Sequence, residues 1–349
     1  MKHFVAGLMA AALLGGCGGG SNPFEEDPAE DAQQNGGDGG EQDNGDDGGD
    51  GTVTIDTSVS VPDGLAGNVS NVTFDAAAET LVVEGLNLDE VPFTAVYNRR
   101  PGLDREGYMA FTVQEDPLDR HYTAYAAQSN NSGSVRATTV GSPGPRNRFF
   151  EGGHFDRDGG FDRPEISPDS GMVSYAGDYV AVTNIGDING PDLKEIPADV
   201  DVADELRVPQ ALTITGNIFV NADFADNSVE GNIFDRQLVE TAQELPSVVL
   251  LATPIAGNGT FAGDVEYDIG DPRGETDGQF INVGSYGGVF GGPESDGVAG
   301  VVNLEQFDGS GDPLDLSNER EVGIFVLDQC GQAVSDPLCG AVNPDVNSP

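Results

Sequence analysis

The chain has 349 residues, 15 Lys and Arg against 60 Asp and Glu, a formal net charge of −45, and 37% apolar residues alongside 50 glycines. Such acidity repels phosphate backbones, which excludes nucleic acid as a partner and counts against bare anionic membrane. The length permits two ordinary domains and a real core, which the composition predicts to be thinner than average, under a surface kept soluble by charge.

Residues 1–16 read as a secretory signal: Lys2 and His3, then an apolar run from Phe4 to Leu14 that is too short to cross a bilayer as a helix. The run ends in Leu14-Gly15-Gly16-Cys17. This matches the lipobox of bacterial lipoproteins, so Cys17 is expected to carry a lipid and to begin the mature protein. Two or three acyl chains hold a protein on a membrane, where one does so only marginally. Gly18 after the cysteine fits export to the outer membrane, which predicts a lipid-anchored, cell-surface location.

From Gly18 to Gly51 there is no basic residue and little that is apolar beyond Phe24. Such a stretch cannot bury enough surface to order itself, so residues 17–51 are expected to be a disordered tether, with ends about 30 Å apart as a neutral coil and further apart under self-repulsion.

Past Thr52 the pattern becomes short alternating runs separated by turn residues, the mark of an all-β fold. Residues 52–165 are expected to form a smaller β-rich domain with strands near "TVTIDTSVSV", "ETLVVEG", "YMAFTVQ", "HYTAYAAQ", "SVRATTVG" and "NRFFEGGHF". This half is locally neutral, with nine of the fifteen basic residues beside nine acidic ones between Arg99 and Arg163. It holds Arg99 and Arg100 in "NRRPG" and Arg146 and Arg148 in "PRNRFF", the candidate partner-binding residues. The competing reading pairs these arginines with neighbouring carboxylates.

The Pro/Asp/Ser-rich "FDRPEISPDSG" separates this half from residues 171–340. Eight strand-like runs follow: "MVSYAGDYVAVTN", "ALTITGNIFVNADF", "SVEGNIFDRQLV", "SVVLLATPI", "GTFAGDVEYD", "GQFINVGSYGGVFGG", "GVAGVVNLEQF" and "REVGIFVLDQ". In the fifth, Phe261, Gly263, Val265 and Tyr267 share one face and Ala262, Asp264, Glu266 and Asp268 the other, predicting one face inward and one in water. Eight antiparallel strands suffice to close an up-and-down β-barrel filled by its own side chains. Glycines 284, 287, 288, 291 and 292, beside Tyr286 and Phe290, suit a tightly coiled wall in which large aromatics need room.

"GNGTFAGDVEYD" followed by "GSYGGVFGGPESDGVAGVVNLEQF" resembles the glycine-aromatic signature of the transferrin-binding protein B-like β-barrel of bacterial surface lipoproteins. "SYAGDYVAV" and "ADFADNSVEGNIFDR" are similar to the start of that domain, and the likeness runs from Met172 to Asp328. The resemblance implies a lipid-anchored protein outside the cell, with a handle-like β-domain ahead of the barrel, that binds a macromolecule or a nutrient carrier, including iron or haem cargo. No ligand-contact residue is carried over.

Cys330 and Cys339, in "DQCGQAVSDPLCG", are expected to form a disulfide in an oxidising compartment, worth about 2 to 3 kcal/mol by chain entropy. No catalytic, cofactor-binding or metal-ligating residue is assigned: His121 and His154 are not a ligand-spaced pair, and "DSG" at Asp169 lacks its apolar support. "DRDGG" and "GDINGPD" offer carboxylates in glycine turns without the distal glutamate of a calcium loop, and read as Asx turns. The leading expectation is therefore a non-enzymatic surface binding module with a protein or protein-borne ligand. The alternatives are an envelope lipoprotein without a ligand and a lipocalin-like carrier.

Overall fold

The computed structural model describes residues 59–165, 171–267, 282–305 and 318–342. The signal segment, Cys17, the acidic tether and Asp169 lie outside the described residues. Within them the protein is all-β apart from short helical turns.

The first seven strands are β1 (Val69–Asp75), β2 (Thr80–Leu86), β3 (Pro92–Arg99), β4 (Met109–Val113), β5 (Tyr122–Gln128), β6 (Val135–Ser142) and β7 (Phe150–Arg157). They form one antiparallel meander in sequence order, preceded by a single helical turn, α1 (Asp63–Ala66). The meander curls nearly shut, because Asn68 N donates to Glu151 O at 2.8 Å and brings the start of β1 to β7. Phe74, Leu81, Val83, Tyr97, Phe111, Val140 and Phe150 fill its concave side. Tyr122 meets Phe150 edge-on there, with ring centres 5.2 Å apart.

Five of the six runs expected in this half are strands. The described part of the sixth, Val59–Val61, is not. Instead Val59 and Val61 pack against the core ahead of α1. Two strands lie where none was expected. In β1 a bulge between Val69 and Asn71 breaks the two-residue alternation. β3 starts on Pro92, which disguises it, and it pairs with β4 at only Asn98↔Thr112 and Arg99↔Phe111.

The second half contains β8 (Met172–Asp187), β9 (Gln210–Asp223), β10 (Ser228–Leu238), β11 (Gln243–Leu245), β12 (Val248–Pro254), β13 (Thr260–Tyr267), β14 (Asn282–Gly291), β15 (Gly297–Glu305) and β16 (Arg320–Asp328). β11 is a short flap on β10. The other eight match the eight expected runs and pair in chain order. β16 then returns to β8 from Glu321↔Thr183 to Phe325↔Tyr179, which closes an antiparallel up-and-down barrel.

The barrel is plugged by its own rings. Phe290 sits 5.1 Å from Phe261, 5.2 Å from Phe224 and 5.6 Å from Tyr175, centre to centre. Room for them comes from glycine on the next strand. A Cβ on Gly288 would stand 2.6 Å from Phe261 Cζ, and one on Gly263 2.7 Å from Tyr286 Cε1. Gly300 and Gly323 likewise face Phe325 and Tyr179. Side chains that large fit a narrow lumen only where the opposing position has none.

The face pattern expected for the fifth run is present in β13, with Phe261, Val265 and Tyr267 buried and Ala262 and Asp264 exposed. On β8 and β14 to β16 the outer face does not meet water. Val180, Val182, Val289, Ala299, Val301, Val322 and Ile324 point outward and are buried against Tyr125, Val135, Ala137 and Phe155 of the first sheet. The run "GVAGVV" carries this signal, since it is apolar on both faces rather than alternating. The approach is close. A Cβ on Gly141 would lie 2.5 Å from Val182 Cγ2, and one on Gly153 2.6 Å from Val301 Cγ2. After β16, Cys330 and Cys339 form the expected disulfide, and they pack with Ala176 on the outside of the wall.

Candidate functional site

Arg99 ends β3 and Arg100 follows it, where the chain leaves the sheet through the turn at Pro101–Leu103. The Arg99 guanidinium donates to Asp104, with Nη2 to Oδ2 at 2.7 Å, and lies over the Phe111 ring at 5.6 Å from its centre. The hydrogen bond to Asp104 raises its pKa further despite partial burial. Arg100 Nε donates to Asp192 Oδ1 at 2.7 Å. The same carboxylate accepts from Thr112 Oγ1 at 2.5 Å and lies 3.1 Å from His121 Nε2. Burial works to raise the Asp192 pKa, but the hydrogen bonds of His121 and Thr112 and the charge of Arg100 hold it below the ordinary carboxylate value. Asp192 belongs to the connection between β8 and β9, so Arg100 helps to latch the barrel's longest described connection onto the first sheet.

Arg146 and Arg148 lie in the turn between β6 and β7. Gly144 opens that turn at φ 56°, and a Cβ there would collide with the guanidinium of Arg120, 2.5 Å from Nη2. Arg146 itself holds φ 60°, which costs a non-glycine residue strain. It lines a cleft of about 360 Å³ with Pro143, Ile185, Ile188, Arg207 and Pro209. Arg148 is mostly exposed and reaches only to 3.9 Å from Asp89.

The four arginines thus divide into two pairs that share no partner. Arg99 and Arg100 are held by carboxylates, as the competing reading of the sequence has it; Arg146 and Arg148 present their charge at a loop end. Arg207 also lines the cleft, 3.6 Å from Asp204 and together with Glu205 and Glu319, and Arg120 packs beside Gly144; the sequence did not single them out because nothing local distinguishes an arginine that folding brings to such a place.

Two further polar groups bear on what the molecule can do. Inside the barrel a bulge in β10 between Phe234 and Gln237 turns Arg236 inward. Its guanidinium donates to the Glu321 carboxylate and to Pro246 O, and Tyr179 Oη donates to Glu321 Oε1 at 2.7 Å. Between the sheets, Arg320 Nη2 lies 2.6 Å from Glu151 Oε1 and 3.1 Å from Glu305 Oε2. Burial nevertheless pushes the Glu151 pKa up to about 7, outweighing Arg320. At the other end of β16, Asp328 accepts from the backbone N–H groups of Asn130 and Asn131, fastening the turn between β5 and β6 to the barrel.

His121 is spent on Asp192, and His154 stands on β7 with its pKa lowered by burial. The carboxylates of Asp156 and Asp158 both accept from Arg136, and Asp187 Oδ1 caps Asn189 N in an Asx turn. Among the described residues, no group of three or more His, Cys, Asp or Glu side chains is placed to hold a metal ion.

No protein-family model and no curated protein sequence matches the chain. Its structure is similar to solved structures of transferrin-binding protein B. For a variant from Haemophilus parasuis Hp5, identity is 12% over 72% of this chain and 51% of that one, with a TM-score of 0.35. For the isotype 1 protein of serogroup B Neisseria meningitidis the values are 11%, 72%, 50% and 0.32. For a variant from Actinobacillus pleuropneumoniae H49 they are 15%, 76%, 99% and 0.33. The chain spans about half the length of the first two of these structures. They are structures of the family that the glycine-aromatic signature of residues 172–328 resembles.

Proposed function

We propose that the protein is a surface lipoprotein of the bacterial outer membrane, anchored by acyl chains on Cys17, that binds a protein or a protein-borne nutrient on the outside of its β-structure. The observation that carries this reading is the filled barrel. Where a lipocalin-like carrier keeps a chamber, this interior holds Phe290 with its neighbouring rings and the Arg236–Glu321 pair. Recognition therefore falls to the exterior. There the sheet and barrel, fastened by Arg100, Arg320 and Asp328, form one platform for the loops. The loop end bearing Arg146 and Arg148 is the proposed contact; Arg99 and Arg100, held by Asp104 and Asp192, brace the fold instead.

The experiment is a binding titration of the mature chain against intact material from the organism's surroundings. The wild type is compared with the double variant Arg146→Glu, Arg148→Glu. Saturable binding that weakens at least about tenfold in the variant supports the contact, a change worth about 1.4 kcal/mol. Unchanged affinity removes those residues from the proposal, and absence of any saturable binding favours the envelope-spacer alternative. Protease treatment of whole cells, which cleaves only exposed protein, tests the location.

A further inference from the structure

Over residues 92–97, β3 has one flank that no described strand pairs. On one side it is matched to β2 from Leu81↔Tyr97 to Leu86↔Pro92. On the other, β4 covers only Asn98 and Arg99 before Gln114 turns away to bond the carbonyls of Pro117 and Asp119. Arg100 N donates to Ala110 O, so the two-residue period of a strand turns the N–H and C=O of Asn98, Val96 and Thr94 to that same side. Those of Thr94 and Val96 have no strand opposite them among the described residues.

An open edge invites strand addition, and proteins ordinarily blunt one with charge, a bulge or a cover. This edge reads Pro-Phe-Thr-Ala-Val-Tyr over residues 92–97, with no charged residue in a chain of net charge −45. Val96 is 66% exposed. Beneath the edge lie rings already partnered with one another, Phe93 on Phe150 and Tyr97 on Tyr122. A strand added here gains main-chain hydrogen bonds from Thr94 and Val96 and an apolar floor for its alternate side chains.

We infer that the free flank of β3, residues 92–97, binds an extended segment of a partner protein as an added β-strand. The inference deepens the surface-binding reading and rests on it. The chemistry selects a segment with β-branched or apolar residues at every second position and a net positive charge, because the chain carries −45 overall and Asp89 and Glu90 stand exposed beside Pro92, while Arg99 and Arg100 at the other end of β3 are already paired with Glu79, Asp104 and Asp192. A second copy of this chain is disfavoured as the occupant by the charge both copies carry.

The test uses the full mature chain and a synthetic peptide, acetyl-Lys-Val-Thr-Val-Thr-Val-Lys-amide, with the same peptide N-methylated at alternate residues on its pairing side as control. Amide hydrogen exchange is the readout. Saturating peptide is expected to slow exchange at Thr94 and Val96 by about tenfold or more, and the methylated peptide to leave it unchanged. Val96→Lys, on an exposed side chain, is expected to keep the fold and weaken peptide binding about tenfold, as lysine guards natural edges. Three results overturn the inference: no protection from the unmodified peptide, equal protection from the methylated one, or protection without peptide that grows with protein concentration alongside a sedimenting dimer. The wild-type titration proposed above tests the broader reading by itself. Its failure with peptide pairing intact, or the reverse, separates the two.

Discussion

Gly323→Ala probes the arrangement on which the filled barrel depends. A methyl group there would overlap the ring of Tyr179, whose Cε2 would lie 2.6 Å away and whose hydroxyl closer still. Tyr179 cannot yield freely, because its hydroxyl donates to Glu321 at 2.7 Å and Glu321 carries the buried charge of Arg236. Overpacking a well-filled core costs about 1 to 3 kcal/mol. Losing a hydrogen bond to a charged group adds about 1.5 to 3 kcal/mol. The expected loss is about 2.5 to 6 kcal/mol, a large share of the 5 to 15 kcal/mol typical of a domain. Urea unfolding measures it, with Gly64→Ala as the control, since nothing lies within 4 Å of a Cβ at Gly64. A Gly323→Ala protein within about 0.5 kcal/mol of wild type would refute the claim that this glycine exists to admit the ring.

Stability should also depend on Glu151. Its folded pKa of about 7 lies above the ordinary value of 4.5, so the folded state binds the proton more tightly. That contribution is fully present below the ordinary carboxylate range and is lost as pH rises through 7, on the order of 3 kcal/mol. Glu151→Gln should flatten the fall in urea midpoint between pH 5 and 7. Asp192→Ala should cost about 2 to 4 kcal/mol by stranding Arg100, Thr112 and His121, and limited proteolysis should then cut residues 188–209 faster than in wild type. Replacing both Cys330 and Cys339 with serine should cost about 2 to 3 kcal/mol, and reduced wild type should match that variant in the same denaturation.

The barrel was legible because its strands keep a strict period and its glycines alternate with rings; "GTFAGDVEYD" shows both within ten residues. β3 was not, since Pro92 and a short pairing with β4 remove the usual marks of a strand. The apolar outer wall was readable in "GVAGVV" only by noticing that both faces were apolar. The fates of the arginines were beyond local reading. Arg100 finds Asp192 across 92 residues of chain, while Arg148 finds only a distant Asp89. Contacts made at such separations leave no periodic trace.

The position of α1 decides how the protein responds to being pulled. Leu65 is seated in the packing between sheet and barrel, and Asn303 Nδ2 on β15 grips Gly64 O at 3.0 Å. Ala66 N and Gly67 N bind Pro62 O and Asp63 O, so the turn cannot lengthen without breaking its own bonds. Tension arriving from residue 59 therefore bears first on the joint between the two bodies, through several bonds loaded together, and does not unzip β1 one rung at a time. Were the protein moored by its amino end, as proposed, a load on its far side would meet resistance to shear at that joint before any strand is drawn out.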